Sequence, residues 1–204
     1  MPSSTVTLEI AATAARLVVE EGLEYGPAKQ RALKLLGKRG LQVASRKAEL
    51  PDNDLLEAEV RSYLALFCAE TQPGELAALR RVALHWMERL AEFRPYATGA
   101  VWRGTATRLN DVHLQLYCDD SKSAEIALLG TGVPYDVGSV RGPQGRTVDV
   151  LSLAERSVAL GETVTVHLSI LDHDDLRGAL KPDAQGRAQR GDAAALRRLM
   201  ETEA

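Results

Sequence analysis

The chain has 204 residues, 45% of them hydrophobic and 26% charged, with a formal net charge of −3. That length suits one large globular domain or two small ones, and the charge excludes a global attraction to nucleic acid or anionic membrane, leaving only local patches. At 4%, aromatic residues are too scarce for a base-stacking platform.

The N-terminal segment MPSSTVTLEI has no basic start followed by an apolar core, so it does not read as a secretory leader. No apolar run approaches the ~18–20 residues that cross a bilayer. Cys68 and Cys118 show no CxxC or zinc-type spacing and read as reduced, buried small hydrophobes. The expectation is a cytoplasmic protein with no membrane partner.

Residues 6–21 predict a first helix, with Leu8, Ala11, Ala12, Ala15, Val18 and Val19 at helical spacing and Gly22 as a stop. A second starts at Pro27 and ends at Gly37. Its polar face is basic, and the cations continue as Lys29, Arg31, Lys34, Lys38, Arg39, Arg46 and Lys47. This stretch, 29–47, is either a solvated face with its loop or an anion-binding patch for a nucleotide, RNA or an acidic protein partner. The cluster Asp52, Asn53 and Asp54 caps a third helix over 54–70, with Leu56, Val60, Tyr63, Leu64 and Phe67 as its buried stripe. The fourth runs from Pro73 to Phe93 with a wide stripe that includes Trp86; His85 reads as a partly buried histidine.

After Pro95 the period changes. Strands are predicted at 98–104, 111–118, 133–140, 146–153 and 162–171, with one crossover helix over 121–129. The strand at 111–118 alternates: Val112, Leu114 and Leu116 on one face, Asp111, His113, Gln115 and Tyr117 on the other. His167 lies within the last strand, and Asp172, His173, Asp174 and Asp175 follow it. That run reads as a turn and helix cap, its alternative being a metal cluster without an established ligand spacing. Residues 181–191 read as a mobile linker before a short helix capped by Asp192. The fold class is therefore α+β, with an N-terminal region of about four helices (1–95) packed with a C-terminal mixed β-sheet (96–172) into one unit, and a tail (173–204) with a short helix.

Walker A, GxGxxG, GxSxG and HExxH sequences are all absent. The stretch Trp102-Arg103-Gly104-Thr105, then Asp111-Val112-His113-Leu114, then Thr147-Val148-Asp149-Val150, resembles the nucleotidyltransferases of the DNA polymerase β type. That family pattern is a strand, a small-residue turn, a strand with two carboxylates one residue apart, and a third carboxylate on a later strand. The resemblance spans roughly 98–153, with His113 at the second carboxylate position. It implies a nucleotidyltransferase-like sheet, an NTP substrate, and Mg²⁺ held by converging hard oxygen ligands. Asp111, His113 and Asp149 would be the catalytic positions, with Asp111 and Asp149 on the metal. Gly104 and Thr105 would approach the phosphates, and Arg103 or Arg108 would neutralise charge. Two further readings stand beside transfer of a nucleoside monophosphate: an inactive nucleotide- or RNA-binding module on the same fold, and a regulatory protein pairing through its helices.

Overall fold

The computed structural model describes residues 4–38, 49–142, 145–183 and 185–202. Within them are eight α-helices and a mixed six-stranded sheet, an α+β architecture. None of these helices is long and apolar enough to cross a membrane. Contacts group the chain into two compact units, Met1–Pro73 with Thr105–Asn110, and Gly74–Gly104 with Asp111–Ala204.

The first unit is built from α1 (Thr5–Glu21), α2 (Tyr25–Lys38) and α3 (Asn53–Phe67). Ser4 caps α1 by accepting from the Thr7 N–H at 3.1 Å, and Asp52 caps α3 by accepting from the Leu55 N–H at 2.8 Å. Ile10, Ala14 and Val18 of α1 are buried with Ala28 and Ala32 of α2 and Leu56 and Val60 of α3. The small residues on α1 and α2 let the helices approach closely. The stripe of α1 is turned relative to the sequence reading: Leu8 is 43% exposed and Ile10 and Ala14 are buried in its place. Phe67, expected in the stripe of α3, is also exposed. Gly22 ends α1 in the left-handed region at φ 66°, where a Cβ would lie 2.6 Å from the Leu109 carbonyl oxygen.

The second unit holds α4 (Gln72–Arg89, most of it), a 3₁₀ turn (Ala91–Phe93) and the sheet. In chain order its elements are β1 (Tyr96–Thr98), α5 (Gly99–Arg103), β2 (Val112–Cys118), α6 (Ser121–Gly130), β3 (Tyr135–Arg141), β4 (Thr147–Ser157), β5 (Glu162–Asp172), α7 (Asp175–Ala179), β6 (Arg190–Gly191) and α8 (Ala193–Thr202). The strand order is β3-β4-β5-β2-β1-β6, with only β2 and β5 parallel. Leu114, Leu168 and Leu151 face one another across three strands and are all but sealed from solvent. Burial stabilises each by ~1.5–3 kcal/mol. On the same face Trp86 of α4 is fully buried and donates from Nε1 to Glu155 Oε2 at 3.0 Å, whereas His85 is exposed. On the opposite face, α7 covers one end, where Leu176 and Ala179 pack on Tyr117, Val148 and Leu171.

Two sequence expectations change here. The strand predicted over 98–104 is instead the end of β1 followed by α5. Gly99 turns the chain at φ 70°, and Gly104 closes the helix at φ 79°, its N–H donating to the Ala100 carbonyl. Apolar residues in so short a run do not separate strand from helix. The segment read as a mobile linker is organised by one carboxylate. Asp183 accepts from the Arg187 N–H (2.8 Å), the Gln185 N–H (3.0 Å) and the Gln189 side chain (2.6 Å), and so delivers β6 to the edge of β1. The cysteines are free and half-buried; burial, with nearby aspartates, pushes the Cys118 thiol up.

Gly191 of β6 packs so closely on Trp102 that a Cβ there would sit 2.0 Å from the ring. Gly191→Ala is expected to cost ~1–3 kcal/mol in denaturant unfolding; an unchanged midpoint would show that β6 moves freely. The Arg187 N–H above all, with the Arg187 side chain, holds the Asp183 carboxyl below its ordinary 3.8. A group with a depressed folded pKa contributes stability above the unfolded value, lost as pH falls through the folded one. Protection of the Arg187 amide, taken relative to its intrinsic exchange rate, should therefore be full above the ordinary 3.8 and be lost as the pH falls below it, and Asp183→Asn should abolish that dependence.

Candidate functional site

Directly paired residues share a sheet face, and the face alternates along each strand. His113 of β2 pairs with His167 of β5, which pairs in turn with Ser152 of β4; on the other side His113 pairs with Thr98 of β1. These four side chains belong to the polar face, opposite the leucine row. Asp111 precedes β2 on that same side and reaches His167, its Oδ2 lying 3.2 Å from His167 Nε2. His167 Nδ1 lies 2.8 Å from Ser152 Oγ. A carboxylate only accepts, so Nε2 donates to Asp111; in the neutral ring Nδ1 then accepts from the Ser152 hydroxyl. The His113 and His167 rings stack at 4.9 Å between centroids with 24° between planes. Gly99 lies against this pair, a Cβ there falling 3.7 Å from His113 Cδ2.

Asp111 contacts His167, and His113 stacks on that same ring. The structure does not bring Asp149 to them. Asp149 pairs with Ile170, which pairs with Leu116, so its carboxylate belongs to the leucine face. The residue beside His113 on the neighbouring strand is His167. Sequence reading had His167 among the polar residues of its strand but grouped it with residues 172–175. Its true partners depend on β5 lying beside β2 rather than on any local spacing. Among the described residues, no three His, Cys, Asp or Glu side chains are grouped as metal ligands would be.

The glycine turn is also displaced. The strand–glycine–helix passage that leads toward His113 is β1, Gly99 and α5, while Arg103 and Gly104 end α5. Thr105 and Arg108 fall in the first unit. There Thr105 is buried with its hydroxyl unpartnered among the described residues, and Arg108 sits in a turn held by the Asn110 side chain, which accepts from the Thr107 N–H at 2.8 Å. Of the basic stretch, Arg39, Arg46 and Lys47 lie outside the described residues, as does the side chain of Lys38. Lys29 donates to Asn53 at 2.7 Å, and burial first of all lowers its pKa; Arg31 is paired with Glu21. His173 contacts Arg94, Asp175 pairs with Arg146, and the run after β5 is a turn in which Asp172 accepts from the Asp174 N–H at 2.8 Å; the cap expected there is not formed, as Asp174 precedes α7 without a side-chain capping bond.

Asp111, His167 and Ser152 form a hydrogen-bonded chain of acid, imidazole and hydroxyl. Ser152 lies inside a strand laddered on both sides, to Asp136 and to His167. What the arrangement offers a ligand is a pair of stacked, half-buried imidazoles beside one carboxylate.

No protein-family model matches the sequence, and no curated protein does so. Among solved structures, the Cid1 poly(U) polymerase bound to MgGTP aligns at a TM-score of 0.34 with 13% identity, over 47% of this chain and 32% of that one. Cid1 in complex with the UTP analogue UMPNPP aligns at 0.32 with 13% identity, over 47% and 30%. The chain thus spans about a third of the length of these structures.

Exposed hydrogen-bonded pairs contribute little to stability. With Asp111 47% and His167 25% exposed, His167→Gln is expected to cost less than ~1 kcal/mol. The adjacent Leu168→Ala should cost ~2–5 kcal/mol. Denaturant unfolding of the two variants measures this contrast, and equal losses would make His167 a structural residue.

Proposed function

We propose that this chain is a nucleotide-binding protein on a nucleotidyltransferase-like core, with the polar face of β2 and β5 as its nucleotide face. The observation that carries the reading is the convergence there of Gly99, the stacked His113 and His167, and Asp111. A glycine beside the rings leaves no side chain in the way of an approaching phosphate or sugar. The stacked imidazoles offer a flat polar surface to a nucleotide, and the carboxylate orients one of them. The passage from β1 through Gly99 to β2 follows the strand, small-residue turn and strand of the family pattern that the sequence resembles, with α5 inserted between turn and second strand.

Mg²⁺ does not fit this donor set. It takes hard oxygen ligands in near-octahedral array, whereas this face offers one carboxylate and two imidazoles, and Asp149 faces the other way. Transfer of a nucleoside monophosphate from an NTP is the second reading, favoured by the Asp111–His167 hydrogen bond, which orients an imidazole as a base beside the nucleotide face.

Calorimetric titration of each NTP, with and without Mg²⁺, tests both. Binding without Mg²⁺, weakened ~10-fold or more in His113→Ala, is the expected result. Binding that requires Mg²⁺ and vanishes in Asp111→Ala would replace it with the transferase reading. No binding of any NTP would overturn both.

A further inference from the structure

The polar row of β2 continues past His113 to Gln115 and Tyr117, and there it meets a second set of groups. Arg190 of β6 donates through Nη1 to Tyr117 Oη at 3.0 Å and to Gln115 Oε1, and Tyr117 itself donates to Gln115 at 2.9 Å. Burial is the first cause raising the Tyr117 pKa, with Arg190 opposing it. This triangle fixes one corner of the guanidinium. The buried Arg190 Nε has no partner among the described residues. Anchored at Nη1, the guanidinium is held in one orientation and keeps the charge and planar N–H donors that grip a carboxylate.

Arg190 lines a cavity of about 390 Å³, within the size range of small-molecule sites. Leu171 and Ala179 form an apolar wall, and Asp174 and Asp175 stand on the acidic side. Asp175 is neutralised by Arg146 at 2.5 Å. The Asp174 carboxylate has no hydrogen-bond or ion-pair partner among the described residues; only its backbone N–H is held, by Asp172. The cavity is thus lined by one guanidinium anchored at Nη1 and one uncommitted carboxylate. A bare anion would meet the repulsion of Asp174, and a bare cation that of Arg190.

We infer that this cavity binds a small zwitterion of the α-amino acid class, its carboxylate on the Arg190 guanidinium and its ammonium toward Asp174. The side chain would lie on the wall of Leu171 and Ala179. The inference does not depend on nucleotide binding at His113 and His167.

Gly178 gives a test that leaves both charged groups in place. It lines the cavity, and a Cβ there meets nothing within 4 Å, so a larger side chain can enter without disturbing the backbone. L-alanine, L-leucine and L-phenylalanine are titrated calorimetrically into wild type, Gly178→Phe and Asp174→Asn, with sodium phosphate as the bare-anion probe. Binding of at least one amino acid, weakened ~10-fold or more in both variants, is the expected outcome. Absence of binding by all three overturns the proposal, as does binding that Gly178→Phe leaves unchanged. Phosphate binding strengthened by Asp174→Asn, with no amino acid bound, would show an oxyanion site instead. Should Gly178→Phe fail to give a cooperative unfolding transition, the exposed Asp174→Asn variant carries the test alone.

Discussion

The parallel register of β2 on β5 is the constraint on which the sheet unit depends. It sets Val112, Leu114 and Leu116 against Val166, Leu168 and Ile170, and by the same pairing sets His113 against His167. Because side chains alternate, a slip of one residue would carry the leucines into water and the histidines into the core. The core and the candidate site are therefore one decision made by one pair of strands. The energetic weight lies on the leucine side, where burial is complete, and the imidazole side follows without having to stabilise itself.

That division leaves the polar face available for chemistry. Along β2 the row from Asp111 to Tyr117 passes from an acid–imidazole–hydroxyl chain to a tyrosine–glutamine–arginine triangle. The short helix α7 covers only the far end, so the row is open at the histidines and enclosed at the arginine. Arg190 arrives there through a loop tied to Asp183, and β6 fits against β1 because Gly191 has no side chain to strike Trp102. A two-residue strand thus supplies the cation to a face built by strands distant in sequence.

Local pattern was readable where burial is one-sided. The alternation at 111–118 and 162–171 marked β2 and β5 to within a residue, and wide apolar stripes marked α3 and α4. It was ambiguous where apolar residues are few. Residues 98–104 offered no period long enough to separate strand from helix, so the glycine turn was placed at Gly104 when the chain turns at Gly99. The linker reading of 181–191 failed because composition does not report that Asp183 gathers backbone and side-chain donors around itself.

The sequence by itself determined which side of β2 is polar and that Asp111 and His113 share it, because period-2 geometry is a property of one strand. It determined the α+β class and most helix boundaries for the same reason, since caps and stripes are local. Only the tertiary structure decided which strand lies beside β2. Strand adjacency is set by how the whole chain buries its apolar surface, and no local spacing encodes it. That choice put His167 next to His113, sent Asp149 to the opposite face, and brought Arg190 to Tyr117.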